Sequence, residues 1–204
     1  MSNIVIKTID YVFNSAIFRK IFLMLRIPAT LLLVGVLLYF MKDEWFLPGL
    51  AVSILGAVGQ SWCFSCIMTQ KELAGVGPYV FVRNPMYLTR FFLVLGALMF
   101  AGNIWILSVY TFVYWFYMVN RVRREEKKLR EVFGQPYIDF CGRVNRFLPS
   151  FRNADWSRVA CFKWDCFERN HGTITAVALA VFYGFAFYCR YYKSFPELIA
   201  PLWR

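Results

Sequence analysis

Residues 91–120 read FFLVLGALMFAGNIWILSVYTFVYWFYMVN, thirty positions without a charged side chain. At about 1.5 Å rise per residue one helix of that length would extend roughly 45 Å, whereas the hydrocarbon core of a bilayer is about 30 Å thick. A single crossing is too few for the stretch. Gly102-Asn103 near its middle is a turn signal, so the sequence predicts a hairpin with arms at about Met86–Ala101 and Ile104–Asn120. Arg90 then falls one turn inside the first arm, where it has to snorkel or find a partner.

Outward from the hairpin the rest of the chain is equally apolar. Of 204 residues 59% are hydrophobic and 20% aromatic, with a mean hydropathy of +0.49, more than a soluble domain of this size can cover with polar surface. Trp45–Gln70 runs without a charge, Ile21–Met41 is interrupted only by Arg26, and Thr173–Cys189 is flanked by the interfacial tyrosines Tyr188, Tyr191 and Tyr192. The expected fold is therefore all-α, a polytopic membrane bundle of about five transmembrane helices. Met1–Lys20 lacks the compact apolar core of a cleavable signal peptide and reads as an amphipathic entry helix at the interface. Residues 1–150 are expected to form the membrane core and 151–204 an extension with an interfacial segment and the fifth span. Gly35, Gly56, Gly59 and Gly96 suit close helix contact, and Pro28 and Pro48 are placed near span starts.

The net charge of +11 excludes little by itself, but no basic stripe interleaved with stacking aromatics speaks for nucleic acid. Topology accounts for it better. With the N-terminus cytosolic, 18 Lys and Arg fall inside and 4 outside, leaving Arg26 aside, the sign expected for positive-inside orientation. The site and N-terminus are then cytosolic, in a bacterial inner membrane or the endoplasmic reticulum.

Two polar clusters flank the hairpin. Gly77-Pro-Tyr-Val-Phe-Val-Arg-Asn-Pro-Met-Tyr87 precedes it, and Arg124-Glu-Glu-Lys-Lys-Leu-Arg-Glu-Val-Phe-Gly134 follows it. Pro78 and Pro85 bias the residues before them away from helix, and an irregular segment at membrane depth is tolerated where it lines a cavity. Arg83 there presents a fork suited to a carboxylate. Glu125 and Glu126, about 100° apart on a helix, cannot face one ligand equally; either is a candidate. Read alone, Arg83 is equally a topology anchor, and the glutamates a solvated charge run paired with neighbouring cations. The second helix should run to about Val132 and stop at Gly134 with a left-handed cap, after which Pro136 opens a short helix carrying Tyr137, Phe140 and Val144 on one face.

Gly77-Pro78-Tyr79, Arg83-Asn84-Pro85-Met86-Tyr87, Glu125-Glu126, Leu129, Phe133-Gly134, Tyr137 and Arg146-Phe-Leu-Pro149 together resemble the signature of the isoprenylcysteine carboxyl methyltransferases and the related phospholipid methyltransferases. The resemblance covers roughly Gly56 to Pro149. It implies a multi-span enzyme that binds S-adenosyl-L-methionine in a cytosol-facing pocket roofed by the C-terminal segment, with a membrane lipid or lipophilic small molecule entering from the bilayer. Carried over by position, Gly77, Tyr79, Arg83, Asn84, Pro85 and Tyr87 line the cofactor pocket and Glu125 or Glu126 completes it; Arg83, Glu125 and Glu126 are the residues nearest the chemistry. Asn84 stands where the eukaryotic carboxyl methyltransferases have histidine, which disfavours a prenylcysteine acceptor more than methyl transfer itself. Phe140 stands where a tyrosine is usual.

Methyl transfer from an activated sulfonium needs positioning and exclusion of water more than covalent catalysis. An amine acceptor would in addition have to lose a proton, for which a glutamate is a possible base. Cys63-Phe-Ser-Cys66 with Cys161, Cys166 and His171 is poorly spaced for zinc, so no metal is expected and the thiols are read as packing residues. Gln60 and Trp62 fit either the pocket wall or an interhelical contact. A non-catalytic scaffold with a degenerate pocket, or a membrane oxidoreductase of related fold, are the rival classes; no GxGxxG follows a strand.

Overall fold

The computed structural model describes residues 16–67, 75–151 and 155–192. Among them all regular structure is helical: α1 (Ala16–Tyr39), α2 (Asp43–Cys66), a 3₁₀ turn (Gly77–Val80), α3 (Pro85–Met99), α4 (Ile104–Phe133), α5 (Gln135–Arg143), a second 3₁₀ turn (Trp156–Arg158), α6 (Trp164–Arg169) and α7 (Gly172–Tyr191). The expected entry helix over Met1–Lys20 lies outside the described residues apart from its last five positions.

The hairpin is present, and its turn has the expected chemistry. Gly102 adopts φ +55°, where a side chain would strain the backbone and a Cβ would meet Lys42 Cδ at 2.6 Å. Asn103 then caps α4, its side-chain oxygen accepting from Trp105 N at 2.9 Å and Ile106 N at 3.4 Å. The arms are zipped by Tyr110 Oη donating to Phe91 O at 3.2 Å and Tyr114 Oη to Tyr87 O at 2.7 Å, with the Phe91 and Tyr110 rings stacked at 5.5 Å.

Two helices, Asp43–Cys66 and Gly172–Tyr191, are long and apolar enough to cross a membrane, and Pro28–Tyr39 and Pro85–Met99 are shorter apolar helical segments. That is fewer than the expected five. α3 is compact at 15 residues, and α4 interleaves its aliphatic positions with Trp105, Tyr110, Tyr114, Trp115 and Tyr117 before turning charged at Arg121, which dilutes its apolar character. Pro28 stands in the middle of α1, at the start of its apolar segment, and Pro48 lies beyond the first turn of α2.

α2 against α3 is the most extensive helix pair, and small residues set its separation. A Cβ on Gly49 would come 2.6 Å from Gly96 O, and one on Gly56 would come 2.7 Å from Leu93 Cα. Of the four glycines expected at helix contacts, Gly56, Gly59 and Gly96 lie in this seam, joined by Gly49. Ser53 Oγ donates to Leu93 O at 2.9 Å, and Thr89 Oγ1 to Gln60 Oε1 at 2.9 Å. Gln60 thus serves an interhelical bond, and Trp62 Nε1 donates to Cys161 O at 3.2 Å. α7 seals the far end, where Ala186 joins Leu38, Phe46 and Phe100 in a buried cluster.

α4 does end at Phe133, but Gly134 has φ 58° and ψ −130°, a positive-φ conformation outside the left-handed helical region. α5 buries Tyr137, Phe140 and Val144 together as expected. The interfacial segment expected in the extension holds, among the described residues, the second 3₁₀ turn and the six-residue α6. His171 occupies the N-cap position of α7 with φ 61°. All six cysteines are free thiols; Cys63 and Cys66 pack against Tyr79, and Cys66 Sγ donates to Cys161 O at 3.0 Å.

Candidate functional site

The irregular segment before α3 and the charged half of α4 converge because the hairpin returns the chain to the level at which it left. Pro85 starts α3 at a position where its missing N–H costs nothing, and the backbone from Gly77 to Asn84 is therefore free to approach other segments. It does so through residues 144–150: Arg83 N donates to Asn145 O at 2.8 Å, and Ser150 N donates to Phe81 O at 2.9 Å. The segment after α5 thereby lies across the loop.

Glu126 is the centre of the cluster, with only 3% of its side chain exposed. Arg83 Nη1 stands 3.4 Å from its Oε1. Arg146 grips both oxygens, Nε to Oε1 at 3.1 Å and Nη2 to Oε2 at 2.5 Å, the parallel-fork arrangement that makes arginine–carboxylate pairs strong and directional. Asn84 Nδ2 donates to Glu126 Oε1 at 3.4 Å and to Arg146 O at 3.3 Å. A buried carboxylate is tolerable here because two guanidinium groups and an amide face it. Its hydrogen bond holds the Arg146 guanidinium above the usual arginine range.

Glu125 points elsewhere. Tyr87 Oη donates to its Oε1 at 2.7 Å, and Arg121 Nε reaches the same oxygen at 3.0 Å. The sequence offers the two glutamates as alternatives; the structure gives each its own partners, as their 100° separation requires. Beneath them Tyr87, Met118 and Val122 form a buried cluster with Tyr114 and Phe147 at its edge, which fixes the register of α3 against α4.

The remaining expected residues are placed unequally. Tyr79 is buried at the end of α2, its hydroxyl without a hydrogen-bond partner among the described residues and its ionisation pushed well above the ordinary tyrosine range, mainly by burial. Gly77, at φ +60°, lies against Cys66 and Trp62, where a Cβ would stand 3.1 Å from Trp62 Nε1; its side of the loop is turned to α2 and away from the carboxylates. Pro85 shapes the backbone and is buried. Arg146 and Arg121 are the residues the sequence reading leaves out of the site. Arg146 opens the Arg-Phe-Leu-Pro ending, whose recurrence at the end of the signature was the available signal.

The sequence pattern of the family described as phospholipid methyltransferase matches residues 45–136, from the start of α2 to the first turn of α5. The match contains Arg83, Asn84, Tyr87, Glu125 and Glu126 and stops before Arg146. Two curated relatives are both named protein-S-isoprenylcysteine O-methyltransferase. The one from Saccharomyces cerevisiae is 33% identical over 87 residues, 41% of this chain and 36% of the relative. The one from Schizosaccharomyces pombe is 31% identical over 102 residues, 48% of this chain and 42% of the relative. The chain therefore spans less than half the length of either relative. No solved structure matches it.

Proposed function

We propose that the protein is an integral membrane methyltransferase of five spans, using S-adenosyl-L-methionine to methylate a lipid or lipophilic small-molecule acceptor at the cytosolic face. The observation that carries the reading is the closure of Arg83, Asn84 and Arg146 on Glu126, beside the Tyr87–Glu125 pair, within a segment of the methyltransferase family. Residues 1–150 then form the catalytic core, and 151–204 add α6 and α7 to its flank.

The donor set fits the amino-acid end of the cofactor, which presents a carboxylate and an ammonium. Among the described residues, Arg83 Nε is buried without a hydrogen-bond partner, and so is the Tyr79 hydroxyl; unspent polar groups of this kind are what a ligand would complete. Arg83 and Arg146 would hold the carboxylate and Glu126 the ammonium, while Tyr79 and Tyr87 offer π faces for a cation. Bound there, S-adenosyl-L-methionine supplies a methyl already activated on sulfur. The chain's own part is orientation and exclusion of water: the 144–150 segment covers the loop, and the Tyr87–Tyr114 bond keeps α3 and α4 in register. For an acceptor that has to lose a proton, Glu125, which accepts the Tyr87 hydroxyl, is the carboxylate closest to the role of base.

The test is incubation of membranes containing the protein with methyl-labelled S-adenosyl-L-methionine, followed by organic extraction. Label is expected in the extractable lipid fraction, falling at least tenfold with Arg83→Ala. An intact protein that binds the cofactor but labels nothing would favour a scaffold, and one that binds a nicotinamide instead would favour an oxidoreductase.

A further inference from the structure

The charged half of α4 carries a second cationic edge that the Glu126 network does not consume. Arg83 and Arg146 are paired with Glu126, and Arg121 with Glu125. Arg123, Arg124 and Lys127 are exposed, and among the described residues none of the three is in an ion pair. Their spacing gathers them. Asn120 with Arg124, and Arg123 with Lys127, stand four residues apart on neighbouring strips of the helix. A cleft of about 510 Å³ is lined by Tyr117, Asn120, Arg123 and Arg124. A second, of about 330 Å³, shares Arg123 and adds Lys127 and Arg130, and at one side reaches Arg146, which is already paired with Glu126. The carboxylates facing this second cleft are Glu126, already held by two arginines, and Glu131 at its far end.

The edge begins where the uncharged stretch stops. Immediately before it on α4, Val113, Phe116 and Tyr117 are exposed at 59, 53 and 49%. A soluble anion would use the cations and leave that apolar surface idle, whereas a phosphodiester with acyl chains uses both. Cation clusters just past a span attract anionic lipid through their charge.

We infer that Asn120, Arg123, Arg124 and Lys127 form a headgroup site for an anionic phospholipid of the adjoining leaflet, separate from the methyl acceptor. The inference rests on the hairpin lying in a bilayer and not on methyl transfer, so a protein that binds no S-adenosyl-L-methionine would leave it standing.

Native mass spectrometry of the full chain, purified in detergent and titrated with dioleoylphosphatidylglycerol or dioleoylphosphatidylcholine, tests it. The protein is expected to retain phosphatidylglycerol in preference, and the triple variant Arg123→Gln, Arg124→Gln, Lys127→Gln to lose that preference by on the order of a hundredfold, at about fivefold per juxtamembrane cation. The double variant Arg123→Lys, Arg124→Lys should keep it, which would assign the loss to charge. Equal retention of both lipids by the unaltered protein, or a preference surviving in the triple variant, would overturn the site. So would full displacement of the lipid by equimolar sn-glycerol 3-phosphate, which would point to a soluble anion, and so would an equal loss in Arg158→Gln, Lys163→Gln, which would reduce the effect to total charge.

Discussion

Replacing Glu126 with alanine is expected to lower S-adenosyl-L-methionine affinity by well over tenfold and to destabilise the protein by about 3 kcal/mol. The stability loss follows from what remains. Arg83, 12% exposed, and Arg146, 36% exposed, would face each other across the vacated space, and removing one partner of a buried charge cluster costs several kcal/mol because the others are left uncompensated. The more exposed Arg146 can rehydrate, which holds the figure at the lower end. Glu126→Gln separates the contributions: it keeps the shape and one acceptor while losing the charge, so it should recover part of the stability and little of the affinity. Calorimetric binding and thermal denaturation in detergent report the two quantities. Unchanged affinity in Glu126→Ala, with the protein folded, would remove Glu126 from the site.

Gly56→Val is the second change with a large expected effect. A side chain there would be driven against the backbone of Leu93, with Thr89 O at 2.8 Å, and neither neighbour can give way without moving α3. Overpacking of this kind costs about 3 kcal/mol, and the loss should spread beyond the seam. Moving α3 breaks the Thr89–Gln60 bond and shifts Tyr87 away from Glu125, so cofactor binding should fall with stability. Gly184→Ala is the control, since among the described residues nothing lies within 4 Å of its added carbon. A thermal midpoint for Gly56→Val within a degree or two of that control would contradict the close α2–α3 approach.

The features read correctly from sequence are those with a local physical cause. Gly102 can take a positive φ and Asn103 can cap, so the turn that divides the uncharged stretch into two helices follows from these residues alone. Convergence of Arg83 with the Glu125-Glu126 pair is then a consequence of connectivity. What sequence left open depends on contacts through space. The choice between Glu125 and Glu126 was not a choice, because Tyr87 and Arg121 claim one while Arg83, Asn84 and Arg146 claim the other. Arg146 was missed because its reach depends on the path of residues 144–150, which no periodicity reports. Gly49 was missed because its partner, Gly96, lies 47 positions away on another helix. Gly77 answers to Cys66 and Trp62, a packing demand that a loop glycine does not announce.

The central claim is that the chain turns back at Gly102-Asn103, so that the loop before α3 and the charged half of α4 share one side of the membrane. Cysteines placed singly at Gly75, Trp105 and Lys127, in a background with the six native cysteines replaced by serine, can be labelled with an impermeant maleimide in sealed vesicles of known orientation. Gly75→Cys and Lys127→Cys are expected to react from the same face, and Trp105→Cys from the opposite one. Reaction of positions 75 and 127 from opposite faces would contradict the shared site.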